Sequence, residues 1–242
     1  EQKKVGSADR DTIIDYKRDL IARGFTSYSI SGYLVAVRQF FAWTETVKVH
    51  PNIARGVKGT RRQKGFCRDA FTLEQVRTIL VSIDTTTLIG KRDFALINLL
   101  ARTGLRTIEI IRADVGDIRQ VGNETILVLQ RKGSDSKDEL VVLVQNSLQP
   151  IMDYLSVRGP ASTSSALFAS LSDGNRGKRL STRTIRRIVK TRLRTCGLSG
   201  NSRLTSHSFR HFLVTTALKN GVSLQEAQQA VGHRSLQSTL LY

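Results

Sequence analysis

The stretch "LTSHSFRHFLVTTALKNG", from Leu204 to Gly221, decides how the second half of the chain folds. Its apolar residues recur at the spacing of an amphipathic helix, with Thr205 or Ser206 as the cap at the start. The pattern therefore predicts a helix with one buried face. The residues predicted on that face are Phe209, Phe212, Leu213, Thr216 and Ala217.

The same stretch places a histidine and an arginine close together near the predicted helix start. His207 and Arg210 are three residues apart, so we expect them to be neighbours on an adjoining face. Backbone N–H groups and the positive end of the helix make this a candidate anion site. A capped helix with a packed histidine and a surface arginine would give the same pattern. His211 is interpreted as a structural residue that supports the helix.

The surroundings of this helix carry positive charge without compensating acids. Between Gly174 and Gln225 there are twelve Lys or Arg residues and no Asp or Glu, and the whole chain of 242 residues has a formal net charge of +18. Clustered charge of this size favours a polyanionic partner. A basic surface that serves only solubility, or one that meets an anionic membrane, would be alternatives. The membrane fits less well, because no basic helix carries a bulky aromatic face.

Composition narrows the class of protein further. No run of about 18 apolar residues is present, and two cysteines are too few for a disulfide framework or a cysteine metal site. We therefore predict a protein of the reducing cytoplasm. No cluster of carboxylates accompanies the histidines, so we expect no metal, and we also expect no cofactor. The chain opens with Glu1, and we expect its first domain to be truncated at the N-terminus.

Organisation along the chain predicts an α+β protein that is mainly helical. Residues 1–56 predict a small helical domain, with one helix capped by Ser7 and stopped by Gly24 and a second helix that ends before Pro51. Residues 57–70 predict a basic linker, which is either a solvated tether or a segment lying along a phosphate backbone; we favour the second. Residues 71–242 predict a larger domain. The cations of the linker region that are candidates for DNA binding are Arg55, Lys58, Arg61, Arg62 and Lys64.

The sequence of the second domain predicts helices around a small antiparallel sheet. The β-rich runs "ETILVLQ" and "ELVVLV" are separated by turn residues, and capping boxes begin at Thr72 and Ser223. The helix in "STRTIRRIVKTRLR" should bury Ile185, Ile188 and Val189. Its remaining faces carry further candidates for DNA binding, namely Arg183, Arg186, Arg187 and Lys190.

Three further places carry reactive side chains. Arg106 follows a helix-breaking glycine, with Glu109 three residues on, a pattern that by itself is typical of a surface ion pair. Lys132 lies in the turn between the two strands, where a lysine is usually solvated but can also donate a proton. His233 follows Gly232, and Tyr242 lies nine residues later. Arginines, a lysine, histidines and a tyrosine together provide the groups that phosphoryl transfer without a metal requires.

In their order and spacing these motifs resemble the tyrosine recombinase (phage integrase) family. The similarity covers Phe71 to Tyr242 through "TGLRTIEI", "RKG", "SHSFRH" and "VGH" with its tyrosine. The hairpin has Arg131 before the lysine where the family more often has glycine. Lys137 is therefore the alternative to Lys132 as the catalytic lysine.

The resemblance implies two domains that clamp duplex DNA, a tetramer on two recombination sites, and a bacterial protein associated with the nucleoid. Tyr242 would attack the phosphodiester, Arg106 and Arg210 would hold the phosphate, and His207 would act as base. Lys132 would act as acid and His233 would donate a hydrogen bond. A type IB topoisomerase and a DNA-binding protein without catalysis are the alternatives. Because the N-terminus looks truncated, we favour an integrase of a mobile element, from a transposon or a phage.

Overall fold

The computed structural model describes residues 5–61, 69–131 and 133–232. The chain divides into two compact units, Glu1–Gly65 and Phe66–Tyr242. The boundary falls inside the stretch predicted as a linker. No helix within the described ranges is long and apolar enough to cross a membrane.

The first unit is built on two helices, α1 (Arg10–Ala22) and α2 (Ser27–Thr46). Asp9, and not the predicted Ser7, caps α1, because its carboxylate accepts a hydrogen bond from the Thr12 amide at 2.8 Å. Ile13, Leu20, Ile30, Leu34 and Phe41 form the core together with Ala54 and Val57. Val57, the first residue of the predicted linker, is thus buried in this unit.

The second unit is mainly helical with one three-stranded antiparallel sheet, as predicted. Its helices are α3 (Leu73–Val81), α4 (Leu88–Thr103), α5 (Thr107–Arg112), α6 (Gln145–Arg158), α7 (Thr182–Thr195), α8 (Ser206–Lys219) and α9 (Leu224–Val231). The strands are β1 (Ile118–Val121), β2 (Glu124–Leu129) and β3 (Glu139–Val142), in that order across the sheet. The sequence indicated β2 and β3 but missed β1, a short strand whose residues are mostly exposed.

Helix α4 lies at the centre of this unit and packs against α6 and α8. All seven residues from Ala95 to Ala101 are buried, on all sides of the helix, as expected of a helix enclosed by others. The predicted capping boxes at Thr72 and Ser223 are both present and begin α3 and α9.

The predicted buried face of α8 is confirmed in part. Phe209 and Phe212 are buried, whereas Leu213, Thr216 and Ala217 are only half-buried. Val214 is buried instead and packs with Ala227 and Val231 of α9. The buried surface of α8 is wider than one stripe because α4 and α9 contact it on different sides.

Candidate active site

Arg106 is positioned by the sharp turn between α4 and α5. Gly104 ends α4 in the left-handed conformation (φ 60°), and Arg106 directly precedes the first turn of α5. Glu109 reaches back from that turn: one carboxylate oxygen accepts from the Arg106 amide at 2.8 Å and the other from its guanidinium at 2.9 Å. Glu109 is fully buried, so the alternative of a surface ion pair is wrong.

Gly104 also allows three helices to meet. A Cβ on this residue would lie 2.9 Å from Leu213 Cδ2 and 3.2 Å from Val231 Cγ1. These side chains belong to α8 and α9, so the end of α4 is in close contact with both. The absence of a side chain here brings the backbone before Arg106 close to Arg210.

Arg210 is a buried residue and not a surface arginine. It is 5% exposed, and its Nη1 donates to the carbonyl of Gly104 at 2.8 Å. Its Nη2 donates to the carbonyl of Val231, the last residue of α9. A guanidinium held by carbonyls of two elements has a fixed orientation, which is what recognition of an anion requires.

His207 is the second residue of α8 and is exposed, in contrast to Arg210. It borders a cavity of about 420 Å³ that is also lined by Arg186 and Lys190 of α7. His211, one turn further along, is half-buried. Burial lowers the pKa of His211, and repulsion from His207 and Arg210 lowers it further.

Arg131 joins this group, although no role was predicted for it from the sequence. Its side chain is 11% exposed, its Nη1 donates to the Val231 carbonyl at 3.1 Å, and the same nitrogen lies 3.7 Å from Glu109. Val231 is 100 residues away in sequence. No local pattern could have identified this contact.

Together these residues form what we call the arginine ring: Arg106, Glu109, Arg131 and Arg210. Arg106 and Arg131 share the Glu109 carboxylate, and Arg131 and Arg210 share the Val231 carbonyl. The ring contains three guanidinium groups and one buried carboxylate, so it keeps an excess of positive charge. Such a site can bind an oxyanion such as a phosphate group, whose geometry the guanidinium fork matches.

The phage integrase family model matches residues 70–242, which is most of the chain and includes the whole arginine ring. The chain belongs to this family. Its curated relatives, described next, are named tyrosine recombinases. The chain is therefore a tyrosine-type site-specific recombinase.

Similar curated proteins cover nearly the whole chain. Tyrosine recombinase XerD of Staphylococcus epidermidis is 28% identical over 240 residues, which is 97% of this chain and 77% of that protein. Tyrosine recombinase XerC of Chlamydia trachomatis is 30% identical over 235 residues, which is 96% of this chain and 72% of that protein.

Solved structures share the fold of this family member. The recombinase XerH in a post-cleavage complex with palindromic difH substrate gives a TM-score of 0.76 at 18% identity, with 100% of this chain and 70% of that chain covered. The Tn1549 transposon integrase in complex with transposon right end DNA gives 0.73 at 15% identity, with 100% and 82% covered.

Lys137, the alternative catalytic lysine, forms ion pairs with two carboxylates. Its ammonium contacts Asp114 at 2.7 Å and Asp117 at 2.5 Å. Burial acts to lower the pKa of Lys137, but the hydrogen bonds and attraction to both carboxylates outweigh burial and raise this pKa above its ordinary value. A lysine held in this way is a poor proton donor.

Five of the predicted functional residues lie outside the described residues: Arg62, Lys64, Lys132, His233 and Tyr242. The chain on either side of Lys132, and up to Gly232, is described. Arg131 lies directly before Lys132, and Val231 lies two residues before His233.

The remaining candidates for DNA binding lie on exposed surface of the two units. Lys58 and Arg61 are exposed in the first unit, and so is Arg55, although it pairs with Glu45 at 2.6 Å. All four predicted cations of α7 are exposed: Arg183, Arg186, Arg187 and Lys190. The predicted buried residues of α7, Ile185, Ile188 and Val189, are confirmed.

Proposed function

We propose that this recombinase cleaves and rejoins duplex DNA at specific sites through a 3′-phosphotyrosine at Tyr242, using neither a metal ion nor ATP. The observation that carries the proposal is the arginine ring, in which Glu109 holds Arg106 and Arg131, and the Val231 carbonyl holds Arg131 and Arg210. The family motifs add the other groups that this reaction needs: a histidine (His207), a lysine (Lys132) and a tyrosine (Tyr242).

The proposed role of Arg106 and Arg210 is to bind the non-bridging oxygens of the scissile phosphate. Charge develops on these oxygens in the transition state, and donors already fixed in place stabilise it without reorganisation. Glu109 supports this role because it orients Arg106 from within the protein. The carbonyls of Gly104 and Val231 support it in the same way for Arg210.

Proton transfer completes the proposed reaction. The Tyr242 oxygen forms a bond to phosphorus and gives its proton to His207, while the bond from phosphorus to the 5′-oxygen breaks. Lys132 gives a proton to that leaving oxygen, and His233 donates a hydrogen bond to the phosphate. The state of Lys137, held by Asp114 and Asp117, favours Lys132 as the acid.

Strand exchange follows from the same chemistry run in reverse. The 5′-hydroxyl of a partner strand attacks the phosphotyrosine bond, a new phosphodiester forms, and Tyr242 recovers its proton. The bond energy is conserved in the protein–DNA link, so no ATP is required. Exchange between two duplexes requires four such protomers, and a homo-tetramer on two DNA sites is part of the proposal.

Binding of DNA is attributed to the exposed cations. The net charge of +18 supplies attraction to any duplex, and the cations of α7 and of residues 55–64 would contact phosphates along it. A location at the bacterial nucleoid and an origin in a mobile element stay predictions from the sequence.

The test of the proposed function is the Tyr242→Phe variant on a nicked DNA substrate that traps the covalent complex. We expect the variant to bind DNA as tightly as the parent and to form no adduct, because only the phenolic oxygen is lost. The reaction is run in EDTA, since the proposed chemistry uses no metal. An adduct formed by the Phe variant, or a parent reaction that requires magnesium, would refute the mechanism.

A further inference from the structure

Arg131 is buried where a hairpin arginine would ordinarily be solvated. It follows β2 by two residues, yet its side chain is only 11% exposed. Its own carbonyl accepts from the Ser134 amide at 3.1 Å, so the backbone at this point is part of a tight turn. Both the side chain and the backbone of Arg131 are therefore fixed at the point where the chain enters Lys132.

The guanidinium of Arg131 spans three elements. It donates to the Val231 carbonyl at the end of α9, lies 3.7 Å from Glu109 of α5, and lies 3.8 Å from Glu139 of β3. Gly232 provides the space for it, because a Cβ on Gly232 would lie 2.4 Å from Arg131 Cζ. Side chain and glycine are matched across two segments that are distant in sequence.

We propose that Arg131 is a positioning residue: it anchors the hairpin directly before Lys132, and proton donation by Lys132 to the leaving 5′-oxygen depends on that anchor. This inference rests on the proposed function, because it assumes that Lys132 is the acid. Arg131 is proposed to act through Lys132 and not by contact with the substrate, because its guanidinium lies near two carboxylates, those of Glu109 and Glu139, which offset its charge. A guanidinium is required for this anchor, because a lysine ammonium cannot reach the Val231 carbonyl and the carboxylates of Glu109 and Glu139 at the same time.

The same step of the reaction provides a selective test. When Tyr242 attacks, the bond from phosphorus to the 5′-oxygen breaks, and that oxygen takes the proton of Lys132. If sulfur replaces the bridging 5′-oxygen, the leaving group is a thiolate, which departs without a proton because its conjugate acid is far stronger. A defect in proton donation is therefore repaired by this sulfur substrate, whereas a defect in phosphate binding or folding is not.

The experiment compares cleavage of the oxygen and the sulfur substrate by Arg131→Met and Arg131→Lys. We expect cleavage of the oxygen substrate to fall by about 10²-fold in Arg131→Met, the lower end of what a general acid supplies. The loss should be smaller in Arg131→Lys. Both variants should cleave the sulfur substrate at close to the parent rate, and DNA affinity should not change.

Three controls separate the possible failures. Arg119→Met, at an exposed arginine of β1, should leave both rates unchanged. Lys132→Ala should be rescued by sulfur; if it is not, the proposed acid is wrong, whatever Arg131 does. Arg210→Lys should not be rescued, since its proposed role is to bind the phosphate.

The proposal for Arg131 is overturned by two results. If Lys132→Ala is rescued by sulfur and the Arg131 variants are not, Arg131 acts on the phosphate or on the fold and not through Lys132. If neither variant loses cleavage of the oxygen substrate, the hairpin needs no such anchor. Thermal unfolding of each variant shows which variants are folded. If Arg131→Met does not fold, the comparison is made with Arg131→Lys alone.

Discussion

At the scale of single residues, the candidate site depends on side chains that are fixed by backbone groups. Arg210 donates to two carbonyls, and the Arg106 amide and guanidinium both donate to Glu109. Truncating one member of such a set would leave buried polar groups without partners, which costs more than the hydrogen bond itself contributes. Glycine is as important here as the charged residues.

Gly104→Ala should destabilise the protein more than Gly122→Ala. Both glycines have a positive φ, 60° and 58°, so both substitutions introduce left-handed strain of about 1–2 kcal/mol. Only at Gly104 does the new Cβ meet neighbours, whereas nothing lies within 4 Å at Gly122. Overpacking should add about 1–3 kcal/mol to the loss in free energy of unfolding at Gly104. Equal losses in denaturant titrations would show that Leu213 and Val231 move aside freely.

The pH dependence of stability should change in His211→Gln. Because the folded protein lowers the pKa of His211, the unfolded chain takes up the proton first as the pH falls. The stabilising effect is present above the ordinary imidazole pKa and is lost as the pH drops below it. The free energy of unfolding should therefore decline less between pH 7 and pH 5 in the variant. Identical pH profiles for the two proteins would contradict the lowered pKa.

At the scale of elements, α7 combines a core-facing side with a cationic surface. Ile185, Ile188, Val189 and Leu193 are buried. Around the rest of the helix, Arg186 and Lys190 line the same cavity as His207. Arg187 lines a second cavity together with Asp93. The two neighbouring arginines thus face different surroundings, a division that the sequence did not indicate.

Replacing Arg186 and Arg187 together by Ala should weaken binding to all DNA sequences alike. Each phosphate contact contributes about −0.9 to the slope of log affinity against log salt, so the slope should flatten by up to about two units. Arg77→Ala combined with Arg119→Ala removes equal charge from exposed sites outside the acid-free window and serves as control. An unchanged slope in the α7 variant would mean that these arginines face solvent in the complex.

At the scale of the whole molecule, the chain combines two compact units with a large positive charge. The family and the XerC and XerD relatives make it a site-specific recombinase. Recombination in this form needs two duplexes held together, whereas relaxation of a single duplex does not. The number of protomers on the DNA is therefore the property to measure at this scale.

Two DNA duplexes that each carry a recombination site should be held together by four protomers. The reason is that each exchanged strand needs its own phosphotyrosine, and two duplexes contain four strands. Mass measurement of the complex, together with detection of recombinant strands, checks this prediction. Recombinant strands formed by complexes with fewer than four protomers would contradict the proposed tetramer.

The sequence by itself determined the family, the fold class and much of the candidate chemistry. Capping boxes, the glycine before Arg106 and the apolar spacing of α7 and α8 are local patterns, because the groups involved are at most a few residues apart. Charge is likewise a property of composition. For these reasons the mainly helical α+β fold and the helix that contains "SHSFRH" could be predicted without coordinates.

Tertiary structure decided how the catalytic candidates are held. Arg131 reaches Val231 across 100 residues, and Arg210 reaches Gly104 across 106. The burial of Glu109 and the pairing of Lys137 with Asp114 depend in the same way on elements packed from elsewhere in the chain. Such contacts leave no periodic trace, because each partner obeys only its own local spacing. The arginine ring therefore exists only once α4, α5, α8, α9 and the hairpin have packed together.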